Sequence, residues 1–107
     1  MIFITGPLYS GKTDYAKSLC DESGIISNVE ELAFDCGDLP ALADRLAGEY
    51  EVVISTEIGG GIVPVDADDR LKREKAGRLS CLLALRADTV IRVFCGIPMA
   101  LKGELPC

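Results

Sequence analysis

Gly6-Pro7-Leu8-Tyr9-Ser10-Gly11-Lys12-Thr13 is the stretch whose residue types and spacing are best suited to chemistry. It fits GxxxxGK[ST], where glycines let main-chain N–H groups wrap phosphates and the lysine reaches the β- and γ-phosphates. In that reading Gly6, Pro7, Leu8, Tyr9, Ser10, Gly11, Lys12 and Thr13 bind nucleotide, Lys12 is also catalytic, and the Thr13 hydroxyl ligates magnesium. ATP or GTP is the expected co-substrate and Mg2+ the expected cofactor. The plainer alternative is a glycine-rich strand-to-helix turn with an exposed lysine.

A phosphate site of this kind needs an acid to position magnesium or its waters, normally at the end of a second apolar strand. Asp35 follows Leu32-Ala33-Phe34, and Glu57 follows Val52-Val53-Ile54-Ser55-Thr56, so both qualify. Asp35 is taken as a metal residue beside Thr13, with a turn or cap carboxylate as its alternative. Glu57 follows the cleaner strand and is taken as catalytic. Gly59, Gly60 and Gly61 would let a loop approach a ligand or move over it, or form a plain flexible connection. Arg70, Lys72, Arg73, Lys75 and Arg78 lie close together in the chain, where they would either meet phosphates or form a solvated face. Gly77, just before Arg78, suggests close packing there.

These residues need a scaffold, and the apolar pattern switches between short continuous runs and helical spacing, the signature of βα units. Strands are expected over 2–5, 31–34, 51–55 and 89–94, the last being the final strand. Helices are expected over 12–20, 41–47 and 66–85. The second of these starts at the capping Asp38 and early Pro40, and Asp66, Asp68 and Asp69 suit the start of the third. Helical connections between strands imply a mostly parallel sheet of about four strands flanked by helices, an α/β fold of the P-loop NTPase type. Ligands on such sheets sit beyond the carboxyl ends of the strands.

At 107 residues the chain suits a single nucleotide-binding domain over 1–107. Its mean hydropathy of +0.27 fits a sheet buried on both faces. The net charge of -6 argues against nucleic acid as a partner, because phosphate-backbone affinity comes from lysine and arginine. With no charged leader before an apolar run and no spanning segment, no membrane partner is expected and the expected compartment is the cytoplasm. Five cysteines without a CxxC pair, in a chain with no histidine, read as free thiols.

The opening Ile4-Thr5-Gly6, Ser10-Gly11-Lys12-Thr13 and Tyr15-Ala16 resemble the start of the bifunctional adenosylcobinamide kinase / adenosylcobinamide-phosphate guanylyltransferase family. The run from Val52 through Glu57-Ile58-Gly59-Gly60-Gly61-Ile62-Val63-Pro64 resembles that family's strand ending in Asn-Glu-Val-Gly before Gly-Ile-Val-Pro, with Thr56 in place of the asparagine. Ala76-Gly77-Arg78-Leu79, Ala87-Asp88-Thr89-Val90 and Cys95-Gly96-Ile97-Pro98 follow its closing segments in order.

The resemblance implies phosphoryl transfer to the aminopropanol hydroxyl of adenosylcobinamide, a corrinoid substrate, by a homo-oligomer, with Glu57 orienting the acceptor. The chain departs from the family in lacking most of a long middle section, and with it the histidine guanylylated in the second half-reaction. Guanylyl transfer by that route is therefore not expected. Asp35-Cys36 resembles a remnant of the family's aspartate-cysteine pair. The competing expectations are a nucleotide-binding regulatory module or slow NTPase, and a kinase for a different small molecule.

Overall fold

The computed structural model describes residues 1–7, 10–57 and 67–106. In chain order its elements are β1 (Ile2–Gly6), α1 (Lys12–Lys17), β2 (Ile25–Ile26), α2 (Val29–Phe34), α3 (Leu39–Glu49), β3 (Val52–Thr56), α4 (Ala67–Arg86), β4 (Thr89–Phe94) and β5 (Ile97–Lys102). They form an α/β fold of the P-loop NTPase type, with sheet order β2-β3-β1-β4-β5. The first four strands run parallel and β5 is antiparallel to β4. Strand β1 lies centrally, with Ile4 opposite both Ile54 and Ile91.

Side chains alternate between the two faces of each strand, and so divide the core. Phe3, Val53 and Val90 join Val29, Ala33, Leu42, Leu46, Leu79 and Leu83 beneath α2, α3 and α4. Ile4, Ile54, Ile91 and Val93 face the other way and pack with Ala16 of α1. Strands buried on both faces explain why the sequence reads as continuous apolar runs. Helix α3 starts where Asp38 accepts a hydrogen bond from the Ala41 N–H, with proline in its first turn.

Three sequence expectations are corrected. The segment over 31–34 is helical, because Val29 and Ala33 are buried one turn apart and pack on the sheet instead of pairing within it. The strand in that region is β2, only two residues long and too short to announce itself by period. The sheet has five strands, not about four, because Cys95 and Gly96 both adopt positive φ (51° and 76°) and turn the chain directly from β4 into β5. Among the described residues, the close packing expected at Gly77 is not seen: a Cβ there would meet none of their atoms within 4 Å. Leu8, Tyr9, the glycines at 59–61 and Asp66 lie outside the described residues.

Candidate functional site

The carboxyl ends of β1 and β3 meet where Glu57 N–H donates to the Gly6 carbonyl at 2.8 Å. From there the chain turns into the phosphate-loop motif. Gly6 leaves no room for a side chain, since a Cβ would collide with the Val93 carbonyl oxygen. Gly11 caps α1 in the left-handed region at φ 88°, a conformation that favours glycine. The β4–β5 turn supports the loop from outside, with Gly96 N–H donating to the Ser10 carbonyl at 2.8 Å.

Ser10, Gly11, Lys12, Thr13 and Asp14 line one side of a cleft of about 230 Å³, and Ser27, Asn28, Ile54 and Thr56 line the other. Lys12 is 7% exposed and its Nζ donates to the Pro7 carbonyl at 2.8 Å. Burial pushes its pKa down, while the carboxylates of Glu30 and Glu57 act in the opposite direction. The ammonium is thus held within the field of two acids and bonded to a carbonyl that an anion can displace. Thr13 is exposed on the cleft wall.

Glu57 leaves the end of β3 toward the α4 side. Its two oxygens accept from Arg92 of β4, at 2.7 Å from Nε and 3.0 Å from a terminal nitrogen. It borders a second hollow of about 200 Å³ with Thr5, Arg73, Gly77 and Ser80. Thr56 lines both spaces. The sheet's carboxyl edge therefore carries a cleft at the phosphate-loop motif and a carboxylate-bearing hollow that share a wall.

Asp35 is not brought to this edge. It caps the C-terminus of α2 and borders a separate depression with Leu32, Cys36, Asp38 and Arg45. The strand-end premise for it fails because the preceding segment is a helix. The basic residues of α4 divide: Arg73 lines the Glu57 hollow, Lys75 Nζ donates to the Phe34 carbonyl at 3.3 Å, and Lys72 lies over the Phe34 ring. The described cysteines, Cys20, Cys36, Cys81 and Cys95, are free.

Sequence reasoning missed Arg92 and Glu30. Arg92 stands in an apolar strand, an unusual place for a charge, and that was its signal. Glu30 is 5% exposed and its Oε1 accepts from the Thr56 N–H at 3.2 Å. That amide needs a partner because β2 pairs only with Val52 and Val53, leaving the end of β3 open on that side. Burial pushes the Glu30 carboxyl up from its ordinary range, and the hydrogen bonds it accepts oppose this. The N-x-x-E spacing from Asn28 to Glu31 marks a helix start that would carry Glu30 in its first turn, although Asn28 makes no side-chain cap here.

Residues 28–101 match the family model described as cobinamide kinase / cobinamide phosphate guanyltransferase. Over 87 residues the chain is 33% identical to the bifunctional adenosylcobalamin biosynthesis protein CobP of Pseudomonas aeruginosa, covering 80% of this chain and 46% of that protein. The chain spans about half the length of this curated relative. The family match begins after the phosphate-loop motif, so Gly6 to Thr13 are read from the motif and its geometry.

Proposed function

Because the chain belongs to the cobinamide kinase / cobinamide phosphate guanyltransferase family, we propose that it is a nucleotide-dependent phosphotransferase of cobalamin biosynthesis, moving the γ-phosphoryl group of ATP or GTP to the aminopropanol hydroxyl of adenosylcobinamide. The observation that carries this reading is the wall shared at Thr56 by the phosphate-loop cleft and the Glu57 hollow. Donor and acceptor in adjoining spaces is the arrangement in-line transfer requires.

The amides of the loop and the Lys12 ammonium would receive the phosphates, with Lys12 exchanging its bond to the Pro7 carbonyl for phosphate oxygen. Thr13 would contribute its hydroxyl to magnesium, which supplies charge neutralisation across the β- and γ-phosphates when bound. Glu57, held by Arg92, would accept a hydrogen bond from the acceptor hydroxyl and orient it. Protein chemistry here is positioning and electrostatics. Asp35 has no part in this proposal, because it lies in a different depression.

The hollow beside Glu57 is smaller than the roughly 300–1,000 Å³ typical of sites that engulf a ligand. It suits the hydroxyl-bearing arm of a corrinoid, with the ring system outside. A homo-oligomer belongs to the proposal, because Ile97, Met99 and Leu101 stand exposed at alternate positions of the edge strand β5. The 107 residues contain no histidine, so guanylyl transfer through a histidine adduct is left out. No nucleic acid or membrane partner is proposed; no helix among the described residues is long and apolar enough to cross a membrane. The reaction is assigned to the cytoplasm.

The small hollow also favours a second reading, a regulatory module or slow NTPase that binds nucleotide without a corrinoid. Incubating the purified chain with γ-labelled nucleotide and magnesium, with and without adenosylcobinamide, separates the two. Label on the corrinoid supports the kinase. Label released as free phosphate, or nucleotide bound with neither outcome, supports the second reading and overturns the first.

A further inference from the structure

The basic residues of helix α4 have different surroundings, and those surroundings set one of them apart. Lys75 donates to the Phe34 carbonyl, Lys72 lies over the Phe34 ring, and Arg86 pairs with Asp44. Arg78 lines a groove away from the sheet edge, with Gly37, Leu39 and Leu82. Arg73 is half-buried and lines the hollow that holds Glu57. Its guanidinium makes no hydrogen bond and no ion pair with any described residue.

The acid of that hollow does not neutralise it. Both oxygens of Glu57 accept from Arg92, so the Glu57 charge is already matched and the Arg73 charge is left over. The remaining polar side chains on the described wall are the hydroxyls of Thr5, Thr56 and Ser80. A spare guanidinium among hydroxyls, beside a carboxylate that is already paired, favours an anion. Gly77, one turn beyond Arg73, is exposed and brings no side chain to the rim. Because Thr56 also stands in the wall of the phosphate-loop cleft, a phosphoryl group leaving that cleft arrives in the space that Arg73 lines.

We propose that Arg73 binds the transferred phosphoryl group on its acceptor side and holds the phosphate monoester as it forms. The inference rests on the kinase reading and names the residue that receives the product's charge. In the step, the acceptor oxygen bonds to the γ-phosphorus while the bond from that phosphorus to the β,γ-bridging oxygen breaks, its electron pair leaving with the nucleoside diphosphate. The hydroxyl proton passes to the Glu57 carboxylate and on to water. An acceptor group that enters as an uncharged alcohol thus leaves as an anionic ester, whose oxygens the fork of an arginine matches two at a time. Lys12 meets the charge on the donor side and Arg73 meets it on the acceptor side.

The test compares wild type with Arg73→Gln in the full chain with ATP or GTP and magnesium. It measures kcat for transfer to adenosylcobinamide, and equilibrium affinity for adenosylcobinamide, for adenosylcobinamide phosphate and for the nucleotide. The expected result is that kcat falls by roughly 10²–10³-fold and affinity for the phosphate ester by roughly 10–100-fold, while the unphosphorylated corrinoid and the nucleotide bind as before. Arg78→Gln should change none of these. A lower kcat with both corrinoids bound as in wild type marks a structural role and overturns the inference; so does a loss of nucleotide affinity, which would put Arg73 on the donor. Full kcat and full affinity for the ester in Arg73→Gln overturn it and leave the kinase reading standing. A wild-type chain that transfers no phosphoryl group overturns both. Should Arg73→Gln not fold, Arg73→Lys decides in its place, since it keeps the charge and loses the fork: a loss of affinity confined to the phosphate ester supports the inference, and wild-type discrimination between the two corrinoids overturns it.

Discussion

Arg92 holds both carboxylate oxygens of Glu57, donating from Nε at 2.7 Å and from a terminal nitrogen at 3.0 Å, across the carboxyl edge of the central strand. A two-pronged pair fixes the plane of the carboxylate as well as its position, which a lysine cannot do. Arg92→Lys should therefore lower kcat for phosphoryl transfer by roughly 10–100-fold through misplacement of Glu57, with nucleotide Kd unchanged. Glu57→Gln should abolish transfer and still bind nucleotide. Steady-state kinetics beside equilibrium binding checks both, and full activity in Glu57→Gln removes that residue from the chemistry.

Among the described residues Lys12 meets no carboxylate directly and bonds instead to the Pro7 carbonyl of its own loop. Replacing it with alanine should weaken nucleotide binding or turnover by about tenfold or more, which is ~1.4 kcal/mol. Titration with ATP and GTP reads this directly. An unchanged curve for both nucleotides counts against the phosphate-loop assignment.

Glu30 links stability to pH. Burial raises its carboxyl pKa above the ordinary value of about 4.3. The folded chain therefore keeps this proton at pH values where the unfolded chain has lost it. The associated stability is fully present below the unfolded value and is lost as pH rises through the folded one. Without nucleotide or metal, the stability of wild type relative to Glu30→Gln should fall as pH rises from the ordinary carboxylate range toward neutrality. Denaturant titrations across that range measure it, and a pH-independent difference contradicts a buried ionising Glu30.

Two glycines should respond in opposite directions. Gly77 lies inside α4 with no atom of the described residues within 4 Å of where a Cβ would go, so Gly77→Ala should stabilise by ~1 kcal/mol through helix propensity and raise Tm by several degrees. Gly6→Ala would drive its Cβ into the Val93 carbonyl oxygen in the middle of the sheet. That variant should lose stability and nucleotide binding together, because main chain cannot be moved aside as a flexible side chain can. Thermal unfolding of both variants is the check.

The three long parallel strands and the two longer helices were legible because each carries enough residues to display a period or a cap. Val52-Val53-Ile54 is a continuous apolar run, Val90-Ile91 and Val93-Phe94 flank a single charge, and Asp38 with Pro40 marks a helix start chemically. Residues 31–34 were misread because Leu32-Ala33-Phe34 fits either a short strand or one helical turn. What decides is the tertiary burial of Val29 and Ala33 together. β5 escaped notice because its apolar residues are exposed and its turn is Cys-Gly, not the commoner Asn-Gly.

At the site, the loop motif was legible because its chemistry is local. Glu30 and Arg92 were not, since each acquires its role from a residue at least 26 positions away. No window along the chain contains both partners. The position of Glu57 at the end of β3 was readable from its strand, but its engagement by Arg92 required the third dimension.

The Gly96 N–H of the β4–β5 turn donates to the Ser10 carbonyl, so the phosphate-loop motif is braced by a hairpin more than 80 residues further along the chain. A ribosome delivers the loop some 85 residues before its brace. Until Gly96 has emerged, a growing chain displays the full GxxxxGK[ST] sequence without one of the contacts that shapes it. A nucleotide bound as proposed would then act as a folding ligand only late in synthesis, stabilising the assembled sheet and not its first half.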